Sequence, residues 1–440
     1  MAPPTKEVDI PANFPQVRAR WRLTRGDKED SQTFFDVRFY PYSVPGTDPV
    51  FAATGNEGDT IVCRCCSSGG QVINVLRFFH DEAEGELRRL NSLVWSKDLE
   101  TGHPLVCVSG EDSRIKILDI VTGKLARTLV GHGGMVNDLV VSPQSPNILA
   151  SASMDRSIRI WNLGPKYEKN PCGVILAGEG HGEGVLSMDI HRKGRYLISG
   201  GHDTRVNLWI IPEDVGELPR SSTEGSSRKL VKKINFPHFS TVEIHSDYVD
   251  CIRFHDDLIL SRSAEEDRIL LWKIDGFSTA TDDVPPQSAA PIVTGTDYPT
   301  TSAFGGRFQR LLTFQATGST TNWMRFGLFT APNQNPMLAV GQDTFAITEH
   351  KMAFSILFWD LKLLEDGIMP VAADGEKSFG LHDPLTPIPP HRKVKMPPKE
   401  FDRSFCIRSV AWSPDGTWCV AGDECGYLYV LSRPSNSAAR

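Results

Sequence analysis

The sequence contains no long apolar run. No segment reaches the roughly 18 consecutive apolar residues that a membrane-spanning helix needs. The N-terminal sequence MAPPTKEVDIPANFPQ also lacks the hydrophobic core of a secretory signal peptide. These absences argue against a membrane protein and against a secreted one, so we expect the protein in the cytosol or the nucleus.

Cysteine shows no regular spacing. The nine cysteines are an odd number without the frame of a disulfide scaffold, which suits a reducing compartment. Cys63, Cys65 and Cys66 lie close together, but alternation along a strand directs Cys66 away from the other two. A structural zinc site needs four convergent ligands. We therefore expect core thiols, with no bound metal and no other cofactor.

The chain also lacks an excess of positive charge. Its 47 Lys and Arg face 54 Asp and Glu, which gives a net charge of −7. Binding to duplex nucleic acid draws on a strong basic patch, so we expect little direct contact with DNA. A mildly acidic protein is better suited to a basic peptide partner.

What the sequence does contain is a repeat, seen in full over residues 131–163. Three β-rich runs, MVNDLVV, NILASAS and SIRIWNL, alternate with turn-forming residues, which predicts an antiparallel meander. Four of its polar and aromatic residues are of the types that a WD repeat links by a buried hydrogen-bond chain. They are His132, Ser151 or Ser153, Asp155 and Trp161.

A second copy follows, with His181, Asp203 and Trp209 at matching positions. In a third copy, His245 occupies the position of the histidine and Glu266 that of the aspartate at the turn. Because these histidines recur with their carboxylates in the register of the repeat, we interpret them as scaffold residues and not as acid–base catalysts. No catalytic constellation is evident, and we expect a protein without enzymatic activity.

One meander cannot cover both of its faces, so several copies must pack around an axis. Strand-like runs over the whole chain bring the count to seven, and we predict an all-β, seven-bladed WD40 β-propeller over residues 16–435. Val17–Thr24 is expected to pair with the last blade and close the ring. Lys233–Pro237 is assigned to blade five.

The remaining stretches carry no blade pattern. Residues 1–15 and 436–440 are predicted to be disordered tails. Long inter-blade insertions are predicted at about 213–228, 276–321 and 362–401. The last contains the basic, proline-rich PIPPHRKVKMPPKE, for which a solvated linker and a peptide dock are both open.

The first residues of each innermost strand should lie at the rim of the axial channel. One residue per blade is placed there by counting along the strands: Phe35, Asn91, Asn137, Leu186, Asp250, Asn322 and Arg408. Tyr248 and Trp323 lie beside them in sequence. Aromatic faces next to a carboxylate suit a quaternary ammonium, which predicts methyl-lysine binding. The alternative, that Phe35 and Trp323 simply plug the channel, is equally consistent with the residue types.

Several motifs are more specific than a generic WD repeat. KINFPHFSTVEIHSDYVDCIRFHDDLILSRS, GHGGMVNDLVVSP, EGHGEGVLSMDI and NWMRFGLF resemble the embryonic ectoderm development (EED) and extra sex combs family, the WD-repeat subunit of Polycomb repressive complex 2. The resemblance extends from about Phe34 to Ser432, with insertions, and marks the chain as a divergent member. It implies a nuclear protein whose top mouth binds the trimethylated histone H3 tail through an aromatic cage. It also implies that the opposite face binds a helix of the catalytic methyltransferase subunit.

Carried over by position, the resemblance assigns Phe35 and Trp323 to the cage. Tyr248, Asp250 and Arg408 match residues around the same mouth. Asn91, however, falls where the family has a cage Tyr, and Asn322 where it has a Trp. We expect neither asparagine to lie in the packed core.

Two consequences of the missing aromatics remain open. Either residues 276–321 or Phe34 supply a replacement wall, or the protein binds methyl-lysine weakly and serves mainly as a scaffold. The leading hypothesis is a non-catalytic scaffold that stimulates a SET-domain histone methyltransferase when it binds the trimethylated tail, within a complex with other Polycomb subunits. The alternatives are a generic WD40 adaptor, such as a ubiquitin-ligase substrate receptor, and a propeller enzyme.

Overall fold

The computed structural model describes residues 14–23, 33–81, 89–216, 231–281, 283–291, 299–343, 354–370, 383–397 and 406–434. Over these residues, seven sheets of four or five strands form the blades of a β-propeller, which confirms the predicted fold. The innermost strands of neighbouring blades pack side by side around the axis.

Blades one and two follow a single short strand near the N-terminus. Blade one comprises β2–β5, and blade two comprises β6–β9. The strands are β1 (Gln16–Arg22), β2 (Phe34–Phe39), β3 (Val50–Gly55), β4 (Asp59–Cys65), β5 (Ile73–His80), β6 (Leu90–Lys97), β7 (Pro104–Gly110), β8 (Ile115–Asp119) and β9 (Lys124–Leu129).

Blades three, four and five each carry a fifth strand at the outer edge. All but the last of their strands lie between residues 136 and 315. In chain order these are β10 (Val136–Val141), β11 (Ile148–Ser153), β12 (Ile158–Asn162), β13 (Cys172–Leu176), β14 (Val185–Ile190), β15 (Tyr196–Gly201), β16 (Val206–Ile210), β17 (Lys232–Ile234), β18 (Phe239–Thr241), β19 (Val249–His255), β20 (Leu258–Ser263), β21 (Arg268–Ile274), β22 (Thr300–Ser302) and β23 (Phe308–Gln315).

Blades six and seven complete the ring, and a short helix follows the third strand of blade six. The remaining elements are β24 (Gly327–Phe329), β25 (Met337–Gly341), β26 (Ser355–Asp360), α1 (Leu361–Glu365), β27 (Pro387–Ile388), β28 (Arg392–Lys395), β29 (Ile407–Trp412), β30 (Trp418–Asp423) and β31 (Tyr427–Ser432). Of these, β27 belongs to blade five, as its fifth strand. Short 3₁₀ turns occur at Asn56–Gly58, Pro165–Tyr167, Glu213–Gly216 and Gln287–Ala289. None of the helices in the described ranges is long and apolar enough to span a bilayer.

The ring is closed by the pairing predicted from the sequence. β1 pairs antiparallel with β31, with Gln16 opposite Ser432 and Arg22 opposite Tyr427. The N-terminal strand is thereby the outer strand of the last blade, so the two ends of the chain hold each other in place. Phe14 lies within the predicted tail, but its side chain is buried against the core of blades six and seven.

Two of the predicted insertions contain the outer strands of blades, which corrects the sequence assignment. Within 276–321, β23 pairs along its whole length with β21 as the fourth strand of blade five. Within 362–401, β28 pairs with β26 as the fourth strand of blade six. An outer strand needs only backbone hydrogen bonds and one half-buried face, so its sequence carries a weak pattern. In the stretch 213–228, Val215 is buried and 217–228 lies outside the described residues.

The assignment of Lys233–Pro237 to blade five is also wrong. β17, which includes the start of this stretch, pairs parallel with β13 on the edge of blade three. β18, which follows it, is the outer strand of blade four and pairs with β16. These are again edge strands, and edge strands lack the alternation that identifies the inner strands of a blade.

The hydrogen-bond chain of the repeat is present in blade three. Trp161 Nε1 donates to Ser151 Oγ at 2.8 Å, and Ser151 Oγ lies 2.7 Å from His132 Nε2. His132 Nδ1 lies 2.8 Å from Asp155 Oδ2, which also accepts from the backbone N–H of Gly133. Since Ser151 accepts from the indole, its hydroxyl proton goes to Nε2, and the imidazole proton on Nδ1 goes to the carboxylate. Ser151, not Ser153, is therefore the linking serine.

Blades four and five repeat this chain. In blade four the links are Trp209 to Ser199 at 3.1 Å, Ser199 to His181 at 2.8 Å and His181 to Asp203 at 3.0 Å. In blade five, His245 lies 2.7 Å from both Ser261 Oγ and Glu266 Oε2. Burial lowers the pKa of His132 and of His245, which keeps both rings neutral. Asp155 and Glu266 are held ionised, because hydrogen bonds from these histidines and from nearby Ser side chains outweigh burial and lower the pKa of each carboxyl.

Candidate functional site

The first residues of the innermost strands converge on one small cavity at the mouth of the axial channel. Its lining residues are Phe35, Asn91, Asn137, Leu186, Asp250, Trp323 and Arg325. The cavity has a volume of about 10 Å³, close to the minimum for one water molecule. Phe35 and Trp323, from blades one and six, line the same cavity, as expected if the closed ring brings them together.

The two aromatic walls are partly buried, and one of them already contacts a cation. The guanidinium carbon of Arg89 lies 5.7 Å from the ring centroid of Phe35. Arg89 is itself half exposed and lies 3.5 Å from a carboxylate oxygen of Glu111. Phe35 therefore lies close to the guanidinium of Arg89 and also borders the cavity. An aromatic ring in contact with a cation in this way is suited to cation–π interaction.

Trp323 adopts an unusual backbone conformation. Its φ is +64°, a left-handed value that costs a side chain with a Cβ roughly 1–2 kcal/mol. Its backbone N–H donates to Asp250 Oδ2 at 2.7 Å. Asp250 therefore holds the turn that points Trp323 toward the mouth, and the strain is offset by this buried hydrogen bond.

Asp250 is not a free carboxylate, although the sequence pattern indicates an acidic cage residue. Arg262 Nη1 donates to Asp250 Oδ1 at 2.6 Å, and both side chains are almost fully buried. Arg262 Nη2 also donates to the carbonyl oxygens of Ser319 and Thr321. The charge of Asp250 is thus neutralised by an internal partner, and the carboxylate organises the mouth instead of facing a ligand.

Three predicted mouth residues do not line the cavity. Asn322 is exposed, and its carbonyl oxygen accepts a hydrogen bond from Arg408. Arg408 also forms an ion pair with Glu424. Tyr248 is 39% exposed and packs edge-on against His202, with ring centroids 4.7 Å apart. These residues lie outside the cavity, and we refer to them as the rim.

Asn91 lies in the packed interior, which corrects the expectation that it is outside the core. Its side chain borders the cavity and is only 2% exposed. It occupies the second position of β6, a strand that is buried along nearly its whole length. At this position the wall of the cavity is therefore a small, buried amide.

The floor of the cavity is closed by Arg325, which sequence reasoning did not single out. Arg325 Nη1 donates to Asp138 Oδ1 at 2.6 Å, and Nη2 donates to the carbonyl oxygen of Asn137 at 2.7 Å. Burial alone would raise the pKa of Asp138, but Arg325, Arg253 and Arg38 outweigh it and hold the carboxyl ionised. A side chain entering from the mouth therefore cannot pass through the channel.

Arg262 was also missed by sequence reasoning. The available signal was a charged residue within LILSRS, a run that is otherwise apolar or small and that reads as an inner strand. A charged side chain inside such a strand must find a buried partner. The sequence does not show that the partner is Asp250.

The cysteines near residue 65 have the faces that strand alternation predicts. Cys63 and Cys65 are buried, whereas Cys66 is partly exposed. Burial raises the pKa of the Cys63 thiol to about 12, so it remains protonated. Over the described part of the chain, no group of three or more His, Cys, Asp or Glu side chains is arranged to hold a metal ion.

Comparisons with known proteins identify the family. The model of the WD domain, G-beta repeat family matches residues 123–162, 172–209 and 398–431. The Polycomb protein EED of Chaetomium thermophilum is 41% identical over 346 residues, which are 76% of this chain and 57% of that protein. The Polycomb protein esc of Drosophila melanogaster is 30% identical over 293 residues, which are 64% of this chain and 67% of that protein. The chain belongs to the EED and esc family of Polycomb proteins. It spans little more than half the length of the C. thermophilum relative.

Solved structures agree with this family assignment. A chain in the crystal structure of the C. thermophilum Polycomb repressive complex 2 superposes with a TM-score of 0.80 at 33% identity, covering 96% of this chain and 98% of that one. The structure of that complex with H3K27me3 gives a TM-score of 0.80 at 32% identity, with the same coverage. Within this EED and esc fold, the mouth cavity is the candidate functional site.

Proposed function

We propose that the protein is a non-catalytic scaffold subunit of a Polycomb-type histone H3 lysine methyltransferase complex. It binds a methylated histone H3 tail at the mouth of the propeller and stimulates the catalytic subunit, in the nucleus. The observation that carries this proposal is the cavity shared by Phe35 and Trp323, two aromatic side chains from distant blades beside a closed floor. A complex of a relative with H3K27me3 supports the same ligand class.

The mouth has a single small cavity of about 10 Å³, so the end of one side chain can enter only if the walls move outward. Arg325 seals the channel, so a lysine would enter head first and stop. The rim residues Tyr248, Asn322 and Arg408 surround the opening and offer polar and aromatic contacts to the peptide backbone. A net charge of −7 favours encounter with a basic histone tail.

The opposite end of the channel is the proposed surface for the catalytic subunit. It opens into a cavity of about 400 Å³ with both charged and apolar walls. These walls include Arg38, Phe39, Asp189, Arg253, Leu328 and Trp412. An amphipathic helix of the partner can place apolar side chains against the aromatic part and polar ones against the arginines.

Co-purification with a SET-domain methyltransferase is the first test. If the full chain is expressed with the catalytic and other Polycomb subunits, we expect a stable complex, and we expect its activity to rise when a methylated histone H3 peptide is added. A generic adaptor, such as a ubiquitin-ligase substrate receptor, would not assemble with the methyltransferase. If no complex forms, the proposal is contradicted. If the complex forms but its methyltransferase activity does not rise with the peptide, only the scaffold role stands.

A further inference from the structure

The mouth cavity contains buried amide groups without hydrogen-bond partners. Asn91 and Asn137 are each 2% exposed, and both line the cavity. Neither Nδ2 nor Oδ1 of Asn91 has a partner, and Oδ1 of Asn137 has none either. Nδ2 of Asn137 donates to the carbonyl oxygen of Val185 at 2.8 Å, which fixes its orientation. Because buried polar groups are nearly always satisfied, these atoms are available to a ligand or an ordered water in the cavity that they line.

The amides are the hydrogen-bonding groups of the cavity that remain available. Asp250 is engaged by Arg262 and by the backbone of Trp323. Arg325 is engaged by Asp138 and by a backbone carbonyl. A cation that enters the cavity therefore meets two neutral amide oxygens, with no free carboxylate among the residues that line it.

The chemistry of these oxygens discriminates between methylation states of lysine. A trimethylammonium group has no N–H and would leave both acceptors buried and unpaired. Monomethyl- and dimethylammonium groups keep two and one N–H, which can donate charge-assisted hydrogen bonds to the amides. The smaller groups also need less displacement of the walls of a cavity of about 10 Å³.

We propose that this mouth binds mono- and dimethyl-lysine in preference to trimethyl-lysine. The proposal rests on the proposed function, namely that the mouth binds a methylated histone H3 tail. The methyl groups contact Phe35 and Trp323, which favours these states over the unmodified, more strongly hydrated ammonium. The buried amide of Asn91 thus selects the methylation state of the ligand.

Calorimetry with the full chain tests the preference. Four histone H3 peptides of one sequence, carrying an unmodified, mono-, di- or trimethylated lysine, are titrated under the same conditions. We expect the mono- and dimethyl peptides to bind about fivefold more tightly than the trimethyl peptide. Trimethyl binding that is equal or tighter overturns the preference but leaves the proposed function standing. If no peptide binds in any state, the proposed function fails and the preference with it.

Matched variants assign the preference to the amide. Asn91→Leu keeps the approximate size and removes one of the two amide oxygens, so the ratio of monomethyl to trimethyl affinity should fall at least twofold. Asn74→Leu changes an exposed asparagine on the outer strand of blade one, away from the mouth, and should leave the ratio unchanged. Thermal unfolding of each variant verifies folding. Asn91→Asp, nearly isosteric, should increase the ratio and gives a second test if the leucine variant does not fold; an unchanged ratio in both Asn91 variants overturns the proposal.

Discussion

Arg262 and Asp250 form a buried ion pair directly beneath the mouth of the propeller, with Nη1 2.6 Å from Oδ1. The side chain of Arg262 is fully buried and that of Asp250 is 2% exposed. The same carboxylate accepts the backbone N–H of Trp323, so the pair connects the core of blade five to an aromatic wall of the site. Stability and site geometry are therefore coupled at this point.

Removal of one member of this pair should destabilise the protein strongly. Arg262→Met leaves a buried carboxylate without its partner, at a cost of about 3–5 kcal/mol. Denaturant unfolding measures the loss. The double variant with Asp250→Asn should recover part of it, since no charge then remains buried. Arg89→Met, in a half-exposed pair with Glu111, is the control and should cost no more than about 1 kcal/mol. A loss for Arg262→Met as small as that of the control would show that the pair does not stabilise the fold.

Truncation of the aromatic walls should weaken peptide binding without unfolding the protein. Phe35→Ala and Trp323→Ala are each expected to cost about 1–2 kcal/mol of binding free energy, or five- to thirtyfold in affinity for a methylated histone H3 peptide. Calorimetry measures the effect, and the unmodified peptide should respond less. Tyr248→Ala, on the rim, is the control with a smaller effect.

Trp323→Gly gives a further check on the same wall. Because φ at this position is +64°, glycine is tolerated there with less strain than alanine. The glycine variant should be more stable than the alanine variant by about 1 kcal/mol, while both lose the same affinity. If Trp323→Ala unfolds the protein or keeps its discrimination between methylated and unmodified peptides, Trp323 is a plug of the channel and not a binding wall.

The inner strands of the propeller were predictable, whereas the outer strands were not. Strands such as β10–β12 alternate regularly and end in the Asp and Trp positions of the repeat, so their sequence identifies them. β23 and β28 pair through backbone atoms at the blade edge, and they were assigned to insertions. The information that places an edge strand resides in its partner strand and not in its own residues.

The site was predictable in its aromatic residues and not in its polar ones. Counting along the strands placed Phe35, Asn91 and Asp250 at the mouth, and the structure brings these together with Trp323. The sequence does not reveal that Arg262 neutralises Asp250 or that Asn91 is buried without a partner. Such pairings depend on contacts between residues of different strands and blades, which a linear pattern does not encode.

Loss of the carboxylate in blade four should destabilise the fold and leave binding unchanged. Asp203→Ala removes the acceptor of His181 and of the backbone N–H groups of Gly182 and Arg205. The cost is about 1–3 kcal/mol for the unsatisfied groups. Thermal unfolding should show the loss, whereas peptide titration should not. An unchanged melting temperature would contradict the structural role of this hydrogen-bond chain.

Stability should decrease as the pH falls below about 6.5, because buried histidines resist protonation in the folded protein. Burial lowers the pKa of His238 to about 4, from its ordinary value of 6.5. Between these two values the unfolded chain binds a proton at this residue and the folded chain does not. As the pH is lowered through this window, the free energy of unfolding therefore decreases, by up to about 1.4 kcal/mol per pH unit for one such group. Burial lowers the pKa of His132 and His245 as well, so they add to the slope in the same direction.

The variant that isolates this effect is His238→Leu, which removes the titrating ring from a fully buried position. Denaturant unfolding at several pH values between 7.5 and 4.5 should give a shallower dependence for the variant than for the parent protein, whatever the change in absolute stability. The ionised carboxylates of the repeat do not mask the comparison, since Asp155 and Glu266 are present in both proteins. Equal slopes would mean that His238 is protonated alike in the folded and unfolded chains, and the buried neutral ring would then be ruled out.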